Sequence, residues 1–108
     1  MANPLQDPGR QEREPLEVMG VLVDPHLEKR RVKANTGRAF RRGCRADLSV
    51  AEWMLLLFVY QFHCAYCGRP FETMDHIVPI ANGGGTTFTN VLPCCHTCNQ
   101  QKGTAVWL

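Results

Sequence analysis

Two C-x-x-C motifs constrain the fold of this chain more than any other feature of its sequence. The first consists of Cys64 and Cys67, and the second consists of Cys95 and Cys98. A turn at this spacing points two thiolates at one position, and two such turns complete a tetrahedral zinc site. A chain of 108 residues has room for only a small core, which a structural metal commonly supplements. The spacing therefore predicts one closed Zn²⁺ site that stabilises the fold and leaves no coordination position open for chemistry.

Other candidate ligands lie beside these motifs. Cys94 would be separated from the last motif cysteine by three residues and would lose the usual turn, so Cys95 is the favoured ligand. His63 and His96 are predicted not to bind the zinc, because four cysteines already fill a closed site. Cys44 has no partner at a useful spacing and is expected to be a free thiol. The competing interpretation is that the motif cysteines are reduced and buried as small hydrophobic residues.

The sequence also bears on location and membrane association. Residues 1–17 lack the apolar stretch of a signal peptide, so a cytoplasmic protein with reduced cysteines is expected. The most apolar run, residues 54–60, is far shorter than the roughly 20 residues that cross a bilayer. We therefore expect no membrane span.

Positive charge is concentrated in one part of the chain, although the formal net charge is only +2. Eight of the 12 Lys and Arg residues lie between Glu28 and Ala46: Lys29, Arg30, Arg31, Lys33, Arg38, Arg41, Arg42 and Arg45. Such a segment either grips phosphates without reading base sequence or is a solvated, partly disordered run of charge. The first interpretation predicts that Arg38, Arg41 and Arg42 contact DNA.

Local signals divide the chain into elements. Residues 1–24 are predicted to be a loose arm, in which residues 18–23 form a short strand or a docking segment. Residues 26–45 are predicted to be a linker or a broken helix, because Asn35, Gly37 and Gly43 interrupt them.

A helix is predicted to begin at Ser49, whose spacing to Glu52 is that of a capping box, and to end near Phe62. Its apolar stripe, which should pack on the zinc module, consists of Trp53, Leu56, Leu57 and Tyr60.

The C-terminal half is predicted to be a β-hairpin followed by a helix. A strand signal lies around residues 71–77, and the glycine-rich turn of residues 82–87 leads towards residues 90–93. The last helix should cover residues 97–102, with Gly103 just beyond its end, and residues 106–108 are predicted to fold back on the core.

Several residues of this half are suited to phosphodiester hydrolysis, which needs a base for a water molecule and a cation for the phosphate charge. His76 is the predicted general base, and Asp75 and Asn99 offer oxygen ligands of the kind that Mg²⁺ prefers, with Mn²⁺ as a substitute. Neighbours on a strand point to opposite faces, so Asp75 and His76 can share a phosphate only if the strand ends there. Lys102 would share a helix face with Asn99, where it either contacts a phosphate or is solvated.

Residues 53–104, about half the chain, resemble the HNH endonucleases. The resemblance rests on C-A-Y-C-G at residues 64–68, M-D-H-I-V-P at 74–79, N-V-L-P at 90–93, and C-H-T-C-N-Q-Q-K-G at 95–103. Many members have histidine at the third signature position, whereas this chain has Asn99, as in the HNN subset.

The resemblance implies a small ββα-metal module and a role for each signature residue. His76 corresponds to the general base, Asp75 and Asn99 to ligands of the catalytic cation, and Asn90 to the residue that holds the loop and orients the histidine. The expected fold is therefore α+β: an HNH domain at 48–108 with a zinc-knuckle site and a packing helix, preceded by a basic, partly irregular region at 1–47.

The resemblance also implies the reaction, which is hydrolysis of DNA, expected to be double-stranded, to 5′-phosphate and 3′-hydroxyl ends. Two alternatives stay open. One is a zinc-binding module that contacts nucleic acid or protein and cuts nothing, and the other is a nuclease that acts only with a partner in a phage DNA-packaging assembly. No base-reading helix is evident, so low sequence specificity is expected, and the sequence does not determine the oligomeric state.

Overall fold

The computed structural model of the protein describes residues 15–107. Most of the predicted loose arm and Leu108 lie outside these residues. The elements, in chain order, are β1 (Leu16–Val18), β2 (Val21–Val23), α1 (Pro25–Arg41), α2 (Val50–Val59), β3 (Thr73–His76), a 3-10 turn (Ile80–Asn82), β4 (Val91–Cys94) and α3 (His96–Lys102). No helix among the described residues is long and apolar enough to span a bilayer.

Strands β1 and β2 form a small antiparallel hairpin, whose turn interrupts the single short strand predicted at residues 18–23. Its two-residue turn consists of Met19 and Gly20, whose φ values are 52° and 78°. Positive φ at both turn positions gives a backbone twist that matches paired strands. Val21 and Val23 of β2 are buried and join the main core.

Helix α1 is continuous, so the predicted linker or broken helix is wrong. Asp24 caps the helix, because its Oδ1 accepts hydrogen bonds from two backbone N–H groups of the first turn at 3.0 and 3.3 Å. Pro25 occupies the first turn, where its missing N–H is not needed. Gly37 disfavours a helix by about 1 kcal/mol relative to alanine, and the contacts of α1 with the rest of the fold outweigh this local preference.

The strongest of these contacts is a buried polar cluster around Glu28, which is 2% exposed. Arg31 Nη1 donates to both carboxylate oxygens of Glu28 at 2.6 and 2.7 Å, and the indole Nε1 of Trp53 donates to one of them at 2.9 Å. Arg31 also donates to the carbonyl oxygen of Glu72 at 2.7 Å and lies over the ring of Phe71. These contacts attach α1 both to α2 and to the segment that leads into β3.

Helix α2 begins with the predicted capping box. Ser49 Oγ accepts from the backbone N–H of Glu52 at 3.0 Å, and Glu52 Oε1 accepts from the backbone N–H of Ser49 at 2.9 Å. The helix ends at Val59, before the predicted end near Phe62, because Gln61 and Phe62 turn the chain with φ values of 55° and 59°.

The predicted apolar stripe of α2 is confirmed as core. Trp53, Leu56 and Leu57 are buried, and Tyr60 is half-buried against them. The other buried residues of this core lie before and after α2 in the sequence: Val21, Val23, Val32, Leu48, Phe62, Phe71, Met74 and Val91. The core therefore joins the N-terminal elements to the hairpin that carries the site.

Strands β3 and β4 pair antiparallel, and α3 follows β4 after one residue, which gives the expected ββα order. In the register, Asp75 pairs with Leu92 and His76 with Val91. Helix α3 begins at His96, one residue earlier than predicted, because Cys95 caps it: the Cys95 Sγ accepts from the backbone N–H of Cys98. The fold class is confirmed as a small α+β protein with a ββα module.

Candidate active site and metal centre

The four motif cysteines meet in one cluster. Their Sγ atoms all lie within 4.8 Å of one another, and the group consists of Cys64, Cys67, Cys95 and Cys98. Backbone N–H groups donate to two of these sulfurs at 3.4 Å, as in a tight metal-binding turn. The cluster includes neither histidine and not Cys94, whose Sγ instead contacts the carbonyl oxygen of Cys95. Such a cluster can hold a metal ion.

The chemistry of these donors fits zinc. Burial raises the pKa of the Cys64 thiol, but backbone hydrogen bonds from Cys95, Cys67 and Tyr66 outweigh burial and lower that pKa to about 6. The Cys64 thiolate is therefore present at neutral pH. Burial raises the pKa of Cys98 to about 12, so the proton of this thiol would leave when a cation takes its place. Four thiolates around one zinc ion would make a closed structural site rather than a catalytic one.

Beside the cysteine cluster lies an open cleft of about 590 Å³ between α1, the hairpin and α3. The sequence-predicted site residues that line it are Arg38, Asp75, His76, Asn99 and Lys102. Strand β3 ends at His76, and all four residues of this strand, Thr73 to His76, line the cleft. Asp75 and His76 therefore line one cleft although they are neighbours on a strand.

Asp75 is 4% exposed, and both of its oxygens have partners. The hydroxyl of Tyr66 donates to Oδ2 at 2.6 Å. The ammonium of Lys102 lies 3.3 Å from Oδ1 and also donates to the carbonyl oxygen of His76 at 3.0 Å. Burial, together with this carboxylate, raises the pKa of Tyr66, so its hydroxyl stays protonated and donates. The carboxylate is held in one position by α3 and the first cysteine turn.

For Lys102 the sequence left two alternatives open, a phosphate contact and a solvated side chain, and the structure differs from both. It shares the cleft with Asn99, as its helix spacing predicts, but it is 3% exposed and its ammonium bonds to protein oxygens. Tyr66, which sequence reasoning did not single out, lies inside the first cysteine motif, and the edge of its ring packs against Trp107. Of residues 106–108, which were predicted to fold back on the core, Trp107 makes this contact but is 42% exposed, Val106 is exposed, and Leu108 lies outside the described residues.

His76 is 6% exposed and has a different set of partners. Its Nε2 lies 2.9 Å from the hydroxyl oxygen of Thr86, which itself donates to the carbonyl oxygen of Asn35 in α1 at 2.9 Å. Burial lowers the pKa of His76 to about 4, with further lowering by the charges of Arg38 and Lys102, against an opposing effect of Asp75. The imidazole is thus neutral at physiological pH.

Asn90 lies in the loop behind His76 rather than in the wall of the cleft. Its Oδ1 accepts from the backbone N–H of Val78 at 2.9 Å, and its Nδ2 donates to the carbonyl oxygens of Val78 and Gly85 at 3.0 and 2.8 Å. This side chain therefore ties the glycine-rich loop to the end of β3. The geometry suits a residue that holds the loop.

Gly84 in this loop has no room for a side chain. A Cβ atom there would overlap the carbonyl oxygen of Val78 and would lie 2.9 Å from Asn90 Nδ2. We expect Gly84→Ala to lower the free energy of unfolding by on the order of 3 kcal/mol or more, because the loop must move away from its hydrogen bonds. Chemical denaturation measures this loss.

The matched control for that substitution is Gly37→Ala in α1. A Cβ atom at Gly37 would make only an ordinary contact, at 3.4 Å from Arg41 Nη1. Since alanine favours a helix by about 1 kcal/mol over glycine, this variant should be as stable as the parent or slightly more stable. Equal stability of Gly84→Ala and the parent would show that the loop packs differently.

Arg41 and Arg42 are exposed at the C-terminal end of α1 and do not line the cleft. Arg38 is also exposed but lines the cleft, and its guanidinium donates to Asn35 Oδ1 at 2.9 Å. Of the three arginines predicted to contact DNA, the structure brings one to the site. Arg30 and Arg31, which the prediction left out, line the same cleft.

Two comparisons with known proteins concern the C-terminal half of the chain. Residues 64–107 match the sequence profile of a family described as HNH endonuclease. The chain is also similar to the CRISPR-associated endonuclease Cas9 of Corynebacterium diphtheriae, with 50% identity over a 52-residue alignment. That alignment covers 41% of this chain and 5% of the Cas9 chain, so the likeness concerns one small part of a much larger protein. The resemblance seen in the sequence is confirmed.

Proposed function

We propose that the chain hydrolyses phosphodiester bonds in DNA with the help of a divalent cation, since residues 64–107 match the HNH endonuclease profile. The observation that carries this proposal is the cleft in which a buried, neutral His76 lies beside Asp75 and Asn99. A base, a carboxylate and an amide oxygen at one cleft are groups that suit hydrolysis of a phosphodiester with a bound cation.

His76 acts as the general base. A neutral imidazole can take a proton from a water molecule, and the protonated form cannot. Burial keeps His76 neutral, while its position at the end of β3 leaves it in the cleft wall. Asn90 supports this arrangement by fixing the loop that follows β3 through Val78 and Gly85.

Asp75 and Asn99 are the residues proposed to hold Mg²⁺ or Mn²⁺. The fit rests on the chemistry of the donors, a carboxylate and an amide oxygen that line the same cleft. When bound, the cation would neutralise charge that develops on the phosphate. Tyr66 keeps the carboxylate in place by its hydrogen bond to Oδ2.

The positive charges around the cleft provide the attraction for a DNA backbone. Arg30 and Arg38 are exposed on α1 and line the cleft, whereas the charge of Lys102, which also lines it, is paired with Asp75. Arg41 and Arg42, exposed at the end of the same helix, are proposed to contact flanking phosphates of a duplex. Such contacts position DNA but do not read its sequence, so the proposal includes low sequence specificity.

The test is incubation of the zinc-loaded protein with supercoiled plasmid and Mg²⁺, Mn²⁺ or no divalent cation. We expect nicked circles or linear DNA only when a cation is present. A folded protein that binds plasmid but leaves it intact in both metals would favour the binding module or a nuclease that needs a phage packaging partner. Cleavage that continues without any divalent cation would contradict the proposed chemistry.

The pH dependence of cleavage follows from the lowered pKa of His76, about 4. The base is active when neutral, so cleavage should persist from pH 7 to about pH 5 and fall as pH drops through about 4. The same shift makes folding less favourable as pH falls from the unfolded-state pKa of about 6.5 towards 4, because the unfolded chain then binds more protons.

Initial rates on plasmid across this range measure the fall of the cleavage rate at acid pH, and circular dichroism at each pH establishes that the fold is intact. A fall centred near pH 6.5 in a folded protein would mean that His76 is not buried as described or is not the base.

A further inference from the structure

The hydrogen bonds behind His76 form a chain that ends on the backbone of α1. His76 Nε2 lies 2.9 Å from Thr86 Oγ1, and the Thr86 hydroxyl lies 2.9 Å from the carbonyl oxygen of Asn35. Thr86 is fully buried, so water does not compete for either contact. A buried donor that lacks an acceptor costs free energy, so these two contacts restrict which atoms carry the hydrogens.

The direction of the bonds in this chain is fixed by chemistry. A carbonyl oxygen only accepts, so the single hydroxyl proton of Thr86 must go to Asn35. Thr86 Oγ1 can then only accept from the imidazole, which means that Nε2 carries a hydrogen. Because neutral imidazole has one N–H, Nδ1 must hold the lone pair.

We propose that Thr86, backed by the carbonyl group of Asn35, is a positioning residue that holds His76 as the Nε2–H tautomer and so makes Nδ1 the atom that accepts the proton from water. This inference rests on the proposed function, in which His76 is the base. It assigns a role to the hydroxyl group of Thr86 and to α1.

The surroundings of the imidazole support Nδ1 as the reactive atom. Within residues 15–107, Nδ1 of His76 has no hydrogen-bond partner in the protein, and no fully buried side-chain nitrogen or oxygen lacks one. Nδ1 is therefore not sealed off, and His76 lines the cleft. A water molecule in the cleft can reach the lone pair.

Thr86 is itself held on both sides by main-chain bonds. Its N–H donates to the carbonyl oxygen of Arg45 at 2.8 Å, and its carbonyl oxygen accepts from the N–H of Leu48 at 3.1 Å. The preceding residue, Gly85, lies so close to Arg45 that a Cβ atom would be 2.6 Å from the Arg45 carbonyl oxygen. The backbone of Thr86 is therefore fixed beside the segment that follows α1, with the hydroxyl group between His76 and Asn35.

Asn35, Arg45 and Leu48 all precede the segment that matches the family, residues 64–107. The matching segment thus contains the base and the hydroxyl group, whereas the groups that orient the hydroxyl come from earlier in the chain. The orientation proposed for His76 therefore depends on α1 and on the segment that follows it.

The experiment is ¹⁵N NMR of the histidine side chains in the full-length, zinc-loaded chain at pH 8. The chain has four histidines, and His76→Ala assigns the signals of His76. We expect the parent to show the Nε2–H pattern. Thr86→Val, which keeps the shape and removes the hydroxyl, should lose that pattern and lower kcat for plasmid cleavage by on the order of 10- to 100-fold, with KM unchanged. Thr86→Ser should restore both.

Thr87→Val is the matched control, because Thr87 is also buried and its hydroxyl does not contact His76; it should change neither the tautomer nor kcat. An Nδ1–H pattern in the parent would overturn the proposal even if Thr86→Val did not fold, and so would a loss of kcat in Thr86→Val with the tautomer unchanged. A parent with the Nε2–H pattern that cuts no DNA would instead overturn the proposed function and leave the tautomer assignment standing.

Discussion

His76→Ala is expected to lower the rate of metal-dependent plasmid cleavage by about 10²- to 10⁴-fold, the usual contribution of a general base. The reason is that His76 is a neutral imidazole in the cleft wall, which Asp75 and Asn99 also line. DNA binding should change little, because the arginines of α1 remain. Initial rates on supercoiled plasmid and a gel-shift titration without divalent cation measure the two quantities separately.

His26→Ala is the control for this substitution, since His26 is exposed at the start of α1 and does not line the cleft. Its cleavage rate should equal that of the parent. Both variants should keep the thermal transition and the zinc content of a folded protein. If folded His76→Ala cuts DNA as fast as the control does, His76 is not the base.

Removal of metal from the four-cysteine cluster is expected to unfold the ββα module. Binding of structural zinc contributes on the order of 10 kcal/mol or more to folding of small domains, which is comparable to the whole stability of a typical protein. The cluster joins the turn after α2 to the start of α3, so its loss separates the two ends of the hairpin. Circular dichroism before and after a strong zinc chelator, with zinc then added back, follows the change.

Cys98→Ser should reproduce this loss without chelator, since it removes one of the four sulfurs. Cys44→Ser is the matched control, because Cys44 lies outside the cluster, and it should keep both zinc and the melting temperature. A protein that retains its thermal transition after complete loss of metal would refute the zinc assignment.

The four-cysteine cluster and the ββα module could be predicted because their signals are local. Cysteine spacing defines the turns, the capping box defines the start of α2, and the glycines mark the loop between β3 and β4. Each of these depends on residues within a few positions of one another, which is where sequence patterns are most informative.

The prediction for the segment of α1 was wrong because the contacts that stabilise this helix are made with residues far away in the sequence. Gly37 and Asn35 are unfavourable in a helix when considered alone. The indole of Trp53 donates to Glu28 across 25 positions, and Arg31 reaches the carbonyl oxygen of Glu72 across 41. No local pattern reveals such contacts.

The neighbours of the proposed site residues were missed for the same reason. Tyr66 lies in a cysteine motif and Thr86 follows three glycines, so each had an evident local role. Their contacts with Asp75 and His76 appear only when the hairpin is closed. Sequence reasoning identified the groups proposed for the chemistry but not the hydroxyl groups that hold them.

The ion pair between Lys102 and Asp75 affects how a divalent cation could bind to this protein. An ammonium already lies 3.3 Å from the carboxylate, and both side chains are buried. A divalent ion that binds Asp75 therefore competes with this resident charge, so its uptake is an exchange reaction and not the filling of a vacant position. The affinity measured for the ion is then a difference between two attractions, and the carboxylate never has to lie buried without a positive partner.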